Sequence, residues 1–194
     1  MKVVAVDYRM ASENRFPTAS EDVAKVYAEL LKSYRPENIG IYGCSSGAEL
    51  TAESVAWFQT HNLPRPGAIS MMGGSGVVYH YGDSNYVSAA LGGYPLPAMP
   101  PVIAPDDYFA GANLRDPMVS PAYYDDVLKQ FPPSQFINGI RDMTLSGALY
   151  THSRMVDLGV DADLHVWEGA AHCFPTPESP ERVPNVCPFS MHPR

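Results

Sequence analysis

The sequence predicts an α/β fold in which a mostly parallel sheet of about five strands is flanked by helices. Short apolar segments alternate along the chain with segments of helical periodicity, which is the order expected for parallel strands joined by crossover helices. The 194 residues are 45% hydrophobic and 18% charged. That composition is typical of one globular domain and excludes a disordered chain.

Five segments are predicted to form the strands of this sheet. Residues 2–7 are a nearly continuous apolar run, which predicts a strand buried on both faces. Residues 38–42 and 67–72 predict the second and third strands, and residues 134–138 and 162–167 the last two. Parallel strands are expected because a helical pattern follows most of these segments.

Helices are predicted between the strands. The first follows Thr18, where Thr18-Ala19-Ser20-Glu21 has the pattern of a capping box. Apolar residues repeat with helical spacing over 48–63 and over 145–158, and a short helix is predicted over 85–91. We expect one domain over residues 1–174 and a tail over 175–194, where prolines recur and no helical pattern exists.

Charge and hydropathy exclude several classes of function. The net charge is -8, and no cluster of Lys and Arg is present, so nucleic acid and anionic membranes are not expected partners. No apolar stretch approaches the roughly 20 residues that cross a bilayer. The apolar start runs into Asp7 and Arg9 too early for a signal peptide. We therefore expect a cytoplasmic protein without membrane insertion.

Gly43-Cys44-Ser45-Ser46-Gly47 is a G-x-S-x-G motif placed between a predicted strand and a predicted helix. This context predicts a tight turn with Ser45 at its apex as a nucleophile, and glycines on both sides to avoid collisions of a Cβ. The backbone N–H of Ser46 would donate to an oxyanion. The alternative is a phosphate-binding loop, but the P-loop lysine is lacking, because Ala48 and Glu49 follow the motif.

A serine nucleophile requires a base and an acid that orients the base. Asp142 comes just after the fourth predicted strand and His172 just after the fifth. Because the carboxyl ends of parallel strands share one edge of a sheet, Ser45, Asp142 and His172 are predicted to meet there as a catalytic triad. No metal or organic cofactor is needed for this chemistry. The glycine-rich segment 73–76 follows the third predicted strand at this same edge. We consider it a further source of backbone N–H donors to the oxyanion.

Other residues are weaker candidates for the same roles. Ser46 is not at the apex of the turn, and acidic residues between 106 and 116 fit ordinary loop structure. His80 is the main rival of His172 as the base. The remaining histidines fall in a turn, a helix, a strand and the tail: His61, His152, His165 and His192.

Three cysteines, Cys44, Cys173 and Cys187, are an odd number without metal-ligand spacing. They predict neither a disulfide framework nor a zinc site, and we expect free thiols. Cys44 and Cys173 adjoin Ser45 and His172, which raises the hypothesis of a redox switch. Small apolar filler beside a tight turn is the preferred interpretation.

The sequence resembles the hormone-sensitive-lipase-like branch of the α/β-hydrolases, which are bacterial esterases acting on short acyl esters. The resemblance covers residues 1–174, and it implies the same nucleophile, acid and base. It is carried by the following motifs: Val6-Asp7-Tyr8-Arg9-Met10-Ala11, Phe16-Pro17, Glu21-Asp22, Gly43-Cys44-Ser45-Ser46-Gly47, Asp116-Pro117-Met118-Val119-Ser120-Pro121, Asn138-Gly139-Ile140-Arg141-Asp142, Val166-Trp167-Glu168-Gly169 and His172-Cys173-Phe174.

The sequence departs from this family in three respects. Family members carry a His-Gly-Gly oxyanion motif, the first strands and a lid before the segment that begins here at Val3, and a last helix after Phe174. We therefore expect a truncated α/β-hydrolase fold with an incomplete oxyanion hole. Either the first strand moves over to fill the gap in the sheet or another chain covers the exposed edge. A homodimer or higher homo-oligomer is expected for that reason.

The resemblance implies a serine carboxylesterase that hydrolyses small, short-chain acyl esters through an acyl-enzyme. The alternative from a different class is a catalytically silent hydrolase that serves as a binding or oligomerisation scaffold. A peptidase or thioesterase of the same fold is a third hypothesis. Turnover of activated esters that depends on Ser45 separates the first hypothesis from the second.

Overall fold

The computed structural model describes residues 2–79, 82–93, 95–98 and 101–174. Its centre is a parallel sheet of four strands, which confirms the predicted α/β architecture. The strands are β1 (Gly40–Cys44), β2 (Ala68–Met72), β3 (Ser134–Gly139) and β4 (Ala162–Trp167). They lie side by side in chain order, and each neighbouring pair is parallel.

Five α-helices flank the sheet in the described part of the chain. They are α1 (Thr18–Leu31), α2 (Ser46–Thr60), α3 (Asp83–Gly92), α4 (Asp125–Leu128) and α5 (Leu145–Asp157). Short 3-10 turns span Pro36–Asn38 and Pro121–Tyr123. Within the described ranges no helix combines the length and apolarity needed to span a membrane.

The main core lies between the sheet and the helices α2 and α5. Ile69 and Met71 of β2 and Phe136 of β3 have no exposed surface, and they pack against Val55 of α2 and Met155 of α5. This burial of the inner strands is typical of parallel sheets. The strands and helices that carry the predicted site residues therefore pack against a rigid core.

The helix α1 is held on the outer side of α2 by a second apolar cluster. Tyr27 of α1 stacks on Phe58 of α2 with ring centroids 4.5 Å apart. Ahead of α1, the side chain of Arg9 pairs with Asp22 at 2.8 Å and with Glu21 at 2.9 Å. This ion pair fixes the segment before α1 against the helix.

The predicted first strand, residues 2–7, is not formed. Its residues make no ladder with β1, which is the edge strand of the sheet, and Val3 is 61% exposed. A strand requires a neighbour for its backbone N–H and C=O groups, and no such neighbour lies beside this segment among the described residues. The expected shift of this strand into the gap therefore does not occur, and Tyr42 on β1 stays 53% exposed.

The capping box predicted at Thr18 is also not formed, although the helix is. The helix α1 includes Thr18 as its first residue, and no side chain caps it. The hydroxyl of Thr18 instead donates to the carbonyl oxygen of Arg15 at 2.8 Å. The tail over residues 175–194 lies outside the described residues.

Candidate active site

The turn between β1 and α2 places Ser45 in a rare backbone conformation. Its φ is 57°, a value that costs a non-glycine residue about 1–3 kcal/mol and persists only where surrounding contacts enforce it. The N–H of Ser45 donates to the carbonyl oxygen of Met72 at 2.9 Å. Its own carbonyl oxygen accepts from the N–H groups of Ala48 and Glu49 at 2.9 and 3.2 Å. These bonds hold the side chain at the carboxyl edge of the sheet.

The close approach of β1 and α2 requires a glycine at position 43 but not at position 47. A Cβ on Gly43 would overlap the carbonyl of Gly47 and lie 2.8 Å from the nitrogen of Ala48. A Cβ on Gly74, at the end of β2, would lie 2.5 Å from the Cβ of Ala48. At Gly47 a Cβ would meet nothing within 4 Å, so the expected collision is right for Gly43 and wrong for Gly47.

The structure brings Ser45, His172 and Asp142 together in one chain of hydrogen bonds. His172 Nδ1 lies 2.9 Å from Asp142 Oδ1, and His172 Nε2 lies 2.9 Å from Ser45 Oγ. An ionised carboxylate only accepts, so Nδ1–H donates to Asp142 and Nε2 accepts from the Ser45 hydroxyl. This tautomer leaves Nε2 able to take the serine proton.

Asp142 is fully buried, yet its donors keep it acidic. Burial alone raises its pKa, but hydrogen bonds from His172 and Thr144 lower it, and the net pKa lies below its ordinary value. The N–H and the hydroxyl of Thr144 each donate to Oδ1 at 2.8 Å. Asn138 donates to the Thr144 hydroxyl at 3.0 Å. Thr144 is not among the predicted site residues, although its position two residues after an acid is a typical turn arrangement.

The side chain of His172 is 26% exposed, and each of its ring nitrogens makes a hydrogen bond. The hydrogen bond to Asp142 is the main reason that the pKa of His172 is raised, and burial opposes it. The negative charge of Glu49 on α2 raises it further. A Cβ on Gly73, which has a φ of 58°, would lie 3.0 Å from the ring of His172 and 3.1 Å from Asp142 Oδ2. Gly73 therefore leaves room for the acid and base pair.

Ser46 is the first residue of α2, and its N–H makes no hydrogen bond to any described residue. Unpaired N–H groups are expected in the first turn of a helix. The replacement donors considered in segment 73–76 are partly used elsewhere. The N–H of Gly73 donates to Ile137 at 2.9 Å, and that of Gly76 to the hydroxyl of Thr151 at 3.1 Å. These two groups cannot serve an oxyanion in this arrangement.

Two of the three expected free thiols are instead joined to each other. The structure has a disulfide between Cys44 and Cys173, whose Cα atoms are 6.2 Å apart. Sequence spacing did not indicate it, because 129 residues separate the two cysteines and only the fold brings them together. The disulfide joins the residue before Ser45 to the residue after His172. Cys187 lies outside the described residues.

The rival residues have other contacts. His61 stacks on Trp57 with centroids 3.9 Å apart, and His152 contacts the carbonyl oxygen of Ala162. His165 is exposed on β4. Asp116 accepts from the N–H of Met118 at 2.8 Å, as expected of a turn. Two rivals lie outside the described residues: His80 and His192. Within the described residues no group of three or more His, Cys, Asp or Glu could hold a metal ion.

A comparison with family models matches residues 1–176 to the family described as having the alpha/beta hydrolase fold. The chain belongs to the α/β-hydrolase family. A search of curated proteins finds no match to this α/β-hydrolase.

Solved structures resemble this α/β-hydrolase closely and include esterases. An esterase from the bacterial hormone-sensitive lipase family is 29% identical, with a TM-score of 0.72 and coverage of 86% of this chain and 55% of that one. Esterase E25 is 35% identical, with a TM-score of 0.70 and coverage of 86% and 50%. A hormone-sensitive lipase from a metagenome library is 28% identical, with a TM-score of 0.73 and coverage of 87% and 57%. The chain spans about half the length of these neighbours, between 50% and 57%.

The contrast between Gly43 and Gly47 is testable by alanine substitution. Gly43→Ala forces a Cβ into the backbone of α2, which overpacks a rigid turn, and we expect the free energy of unfolding to fall by about 1–3 kcal/mol. Gly47→Ala is the matched control because its Cβ enters open space. Urea denaturation measures the free energy of unfolding of both variants. An equal loss in the two contradicts the conclusion that a Cβ collides at position 43 but not at position 47.

Proposed function

We propose that this α/β-hydrolase is a serine carboxylesterase that hydrolyses short-chain acyl esters. The single observation that carries the proposal is the hydrogen-bonded chain of Ser45, His172 and Asp142. It opens on a cavity of about 750 Å³, a size typical of small-molecule sites. The likeness to esterases of the bacterial hormone-sensitive lipase family supports the same class of reaction.

In the proposed reaction, Ser45 Oγ attacks the ester carbonyl carbon while His172 Nε2 takes the hydroxyl proton. The tetrahedral intermediate collapses as His172 returns this proton to the leaving alcohol oxygen, and an acyl-serine remains. Water then attacks the acyl-serine, with His172 again as base, and releases the carboxylic acid and the Ser45 hydroxyl. Asp142 stays ionised throughout and stabilises the imidazolium form of His172.

The negative charge on the carbonyl oxygen requires donors, and the N–H of Ser46 is the donor that we propose. Its position as the first residue of α2, without a hydrogen bond to any described residue, supports this role. Losing one donor of an oxyanion hole typically lowers kcat by about 100- to 1,000-fold. Esters with activated leaving groups need less help, so p-nitrophenyl esters are the appropriate test substrates.

The first test compares Ser45→Ala with Ser46→Ala on p-nitrophenyl acetate, butyrate and longer esters. We expect Ser45→Ala to lower kcat by about four to six orders of magnitude, since the nucleophile is lost. Ser46→Ala keeps its backbone N–H and should keep most activity. Short chains should be turned over faster than long ones. Equal background hydrolysis in Ser45→Ala and the parent protein supports the silent scaffold, and a preference for long-chain triglyceride contradicts the short-chain assignment.

The second test is the pH dependence of kcat/KM. Only neutral His172 can accept the proton, so activity should fall as pH decreases through its pKa. Because Asp142 and Glu49 raise that pKa, the midpoint should lie above the ordinary value of 6.5. Glu49→Gln removes one negative charge and should lower the midpoint, whereas Glu29→Gln, on the exposed side of α1, should not. A midpoint at or below 6.5 in the parent protein contradicts the geometry.

We also propose that the chain forms a homodimer or higher homo-oligomer. The free edge of β1 and the exposed side chains of Val3 and Tyr42 support an oligomer, because an open apolar edge favours pairing with another chain. Sedimentation velocity at low micromolar concentration should therefore give at least twice the monomer mass. A single monomeric species at that concentration contradicts the proposal.

A further inference from the structure

The catalytic cavity contains carboxyl groups that exchange no proton with the substrate in the proposed reaction. Glu49 and Glu53 lie one turn apart on α2, and both line the cavity together with Ser45 and His172. Glu53 is 2% exposed and makes no hydrogen bond or ion pair with any described residue. A buried carboxyl without a partner is costly. The site therefore presents an acceptor that the described protein does not satisfy.

The other charged groups around the cavity have partners. Arg9 is the only Lys or Arg among the described lining residues, and its guanidinium is held by Glu21 and Asp22. Asp107 accepts from the Tyr79 hydroxyl at 2.8 Å and from the N–H of Phe109 at 3.0 Å. Neither residue neutralises Glu53, so the cavity favours a positively charged guest.

Aromatic rings line the same cavity: Tyr8, Tyr79, Tyr108 and Phe109. The hydroxyl of Tyr108 accepts from the N–H of Ala19 at 2.9 Å, and Phe109 meets Tyr108 edge to face at 5.0 Å. These contacts fix the rings of Tyr108 and Phe109 before any ligand arrives. Aromatic faces together with carboxylates are the combination that recognises quaternary ammonium groups.

We propose that the cavity selects esters that carry a cationic group, with Glu53 as the counter-charge and the aromatic rings around the cation. The proposal rests on the proposed esterase function. Glu49 and Glu53 follow Ser45 by about 6 and 12 Å along the helix axis at 1.5 Å per residue. Helical side chains lean toward the N-terminus, so the carboxyls reach back toward Ser45. A cation three or four bonds from the ester carbonyl fits this spacing.

Ionisation of the carboxyls sets the conditions of the test. Burial raises the pKa of Glu49 to about 7, and burial and the neighbouring Glu49 raise that of Glu53. The other titratable or charged groups that line the cavity are Tyr8, Arg9, Tyr79, Asp107, Tyr108 and His172. Among them His172 interacts with Glu49, and Tyr108 interacts with Glu53. A bound cation favours the ionised carboxylates, and this preference fades as pH falls. Assays at pH 8.5 therefore measure the selectivity where Glu49 is ionised and where high pH and the bound cation both favour ionised Glu53.

The experiment compares p-nitrophenyl 4-(trimethylammonio)butanoate with p-nitrophenyl 5,5-dimethylhexanoate, which has the same shape and leaving group without the charge. We expect kcat/KM to favour the cationic ester by about tenfold and the ratio to fall near one in Glu53→Gln. Glu29→Gln, whose carboxylate pairs with Lys32 on the exposed side of α1, should keep the parent ratio. A parent ratio near one, or a ratio unchanged in Glu53→Gln, overturns the proposal.

A binding measurement separates this proposal from the esterase function. If neither ester is hydrolysed, the esterase function fails, and calorimetry with butyltrimethylammonium decides the cation site alone. Binding to the parent protein that is lost in Glu53→Gln supports the site. Absence of binding, or equal binding to both proteins, overturns it. Glu53→Gln keeps the side-chain shape and removes only the ability to ionise, so circular dichroism should show a folded variant.

Discussion

The backbone at Ser45 is the constraint on which the rest of the site depends. A φ of 57° is unfavourable for serine, and it persists because Met72 on β2 and the first turn of α2 bind its N–H and C=O groups. Those bonds require strand and helix to approach more closely than a Cβ at Gly43 or Gly74 permits. The same turn aims the Ser45 hydroxyl at His172 and leaves the Ser46 N–H unpaired at the helix N-terminus.

The acid and the base reach this turn because two loops after neighbouring strands are bonded to each other. The N–H of Ile140 donates to Trp167 at 2.9 Å, and that of Arg141 donates to Ala170 at 3.0 Å. These bonds join the loop after β3 to the loop after β4. The distance between Asp142 and His172 is thus set by backbone pairing, and Thr144 fixes the carboxylate within it.

The sequence predicted the features that depend on local pattern and strand order. It did not predict the features that depend on a partner distant along the chain. Four strands, the long helices and the meeting of Ser45, Asp142 and His172 at one edge follow from periodicity and from the geometry of parallel sheets. The apolar run at residues 2–7 has the composition of a strand, but no neighbour pairs with it in the described chain. The bond between Cys44 and Cys173 and the cavity around Glu53 arise only from the folded arrangement.

Asp142 and Glu53 show that hydrogen bonds decide whether a buried carboxyl in this molecule stays acidic. Both side chains are almost fully buried. Asp142 accepts from His172 and Thr144, and its pKa falls, whereas burial and the nearby Glu49 raise the pKa of Glu53. The protein thus stabilises one carboxylate with its own donors and leaves the other without any in the described structure. A cation in the cavity provides the missing stabilisation, which links ligand charge to the ionisation of Glu53.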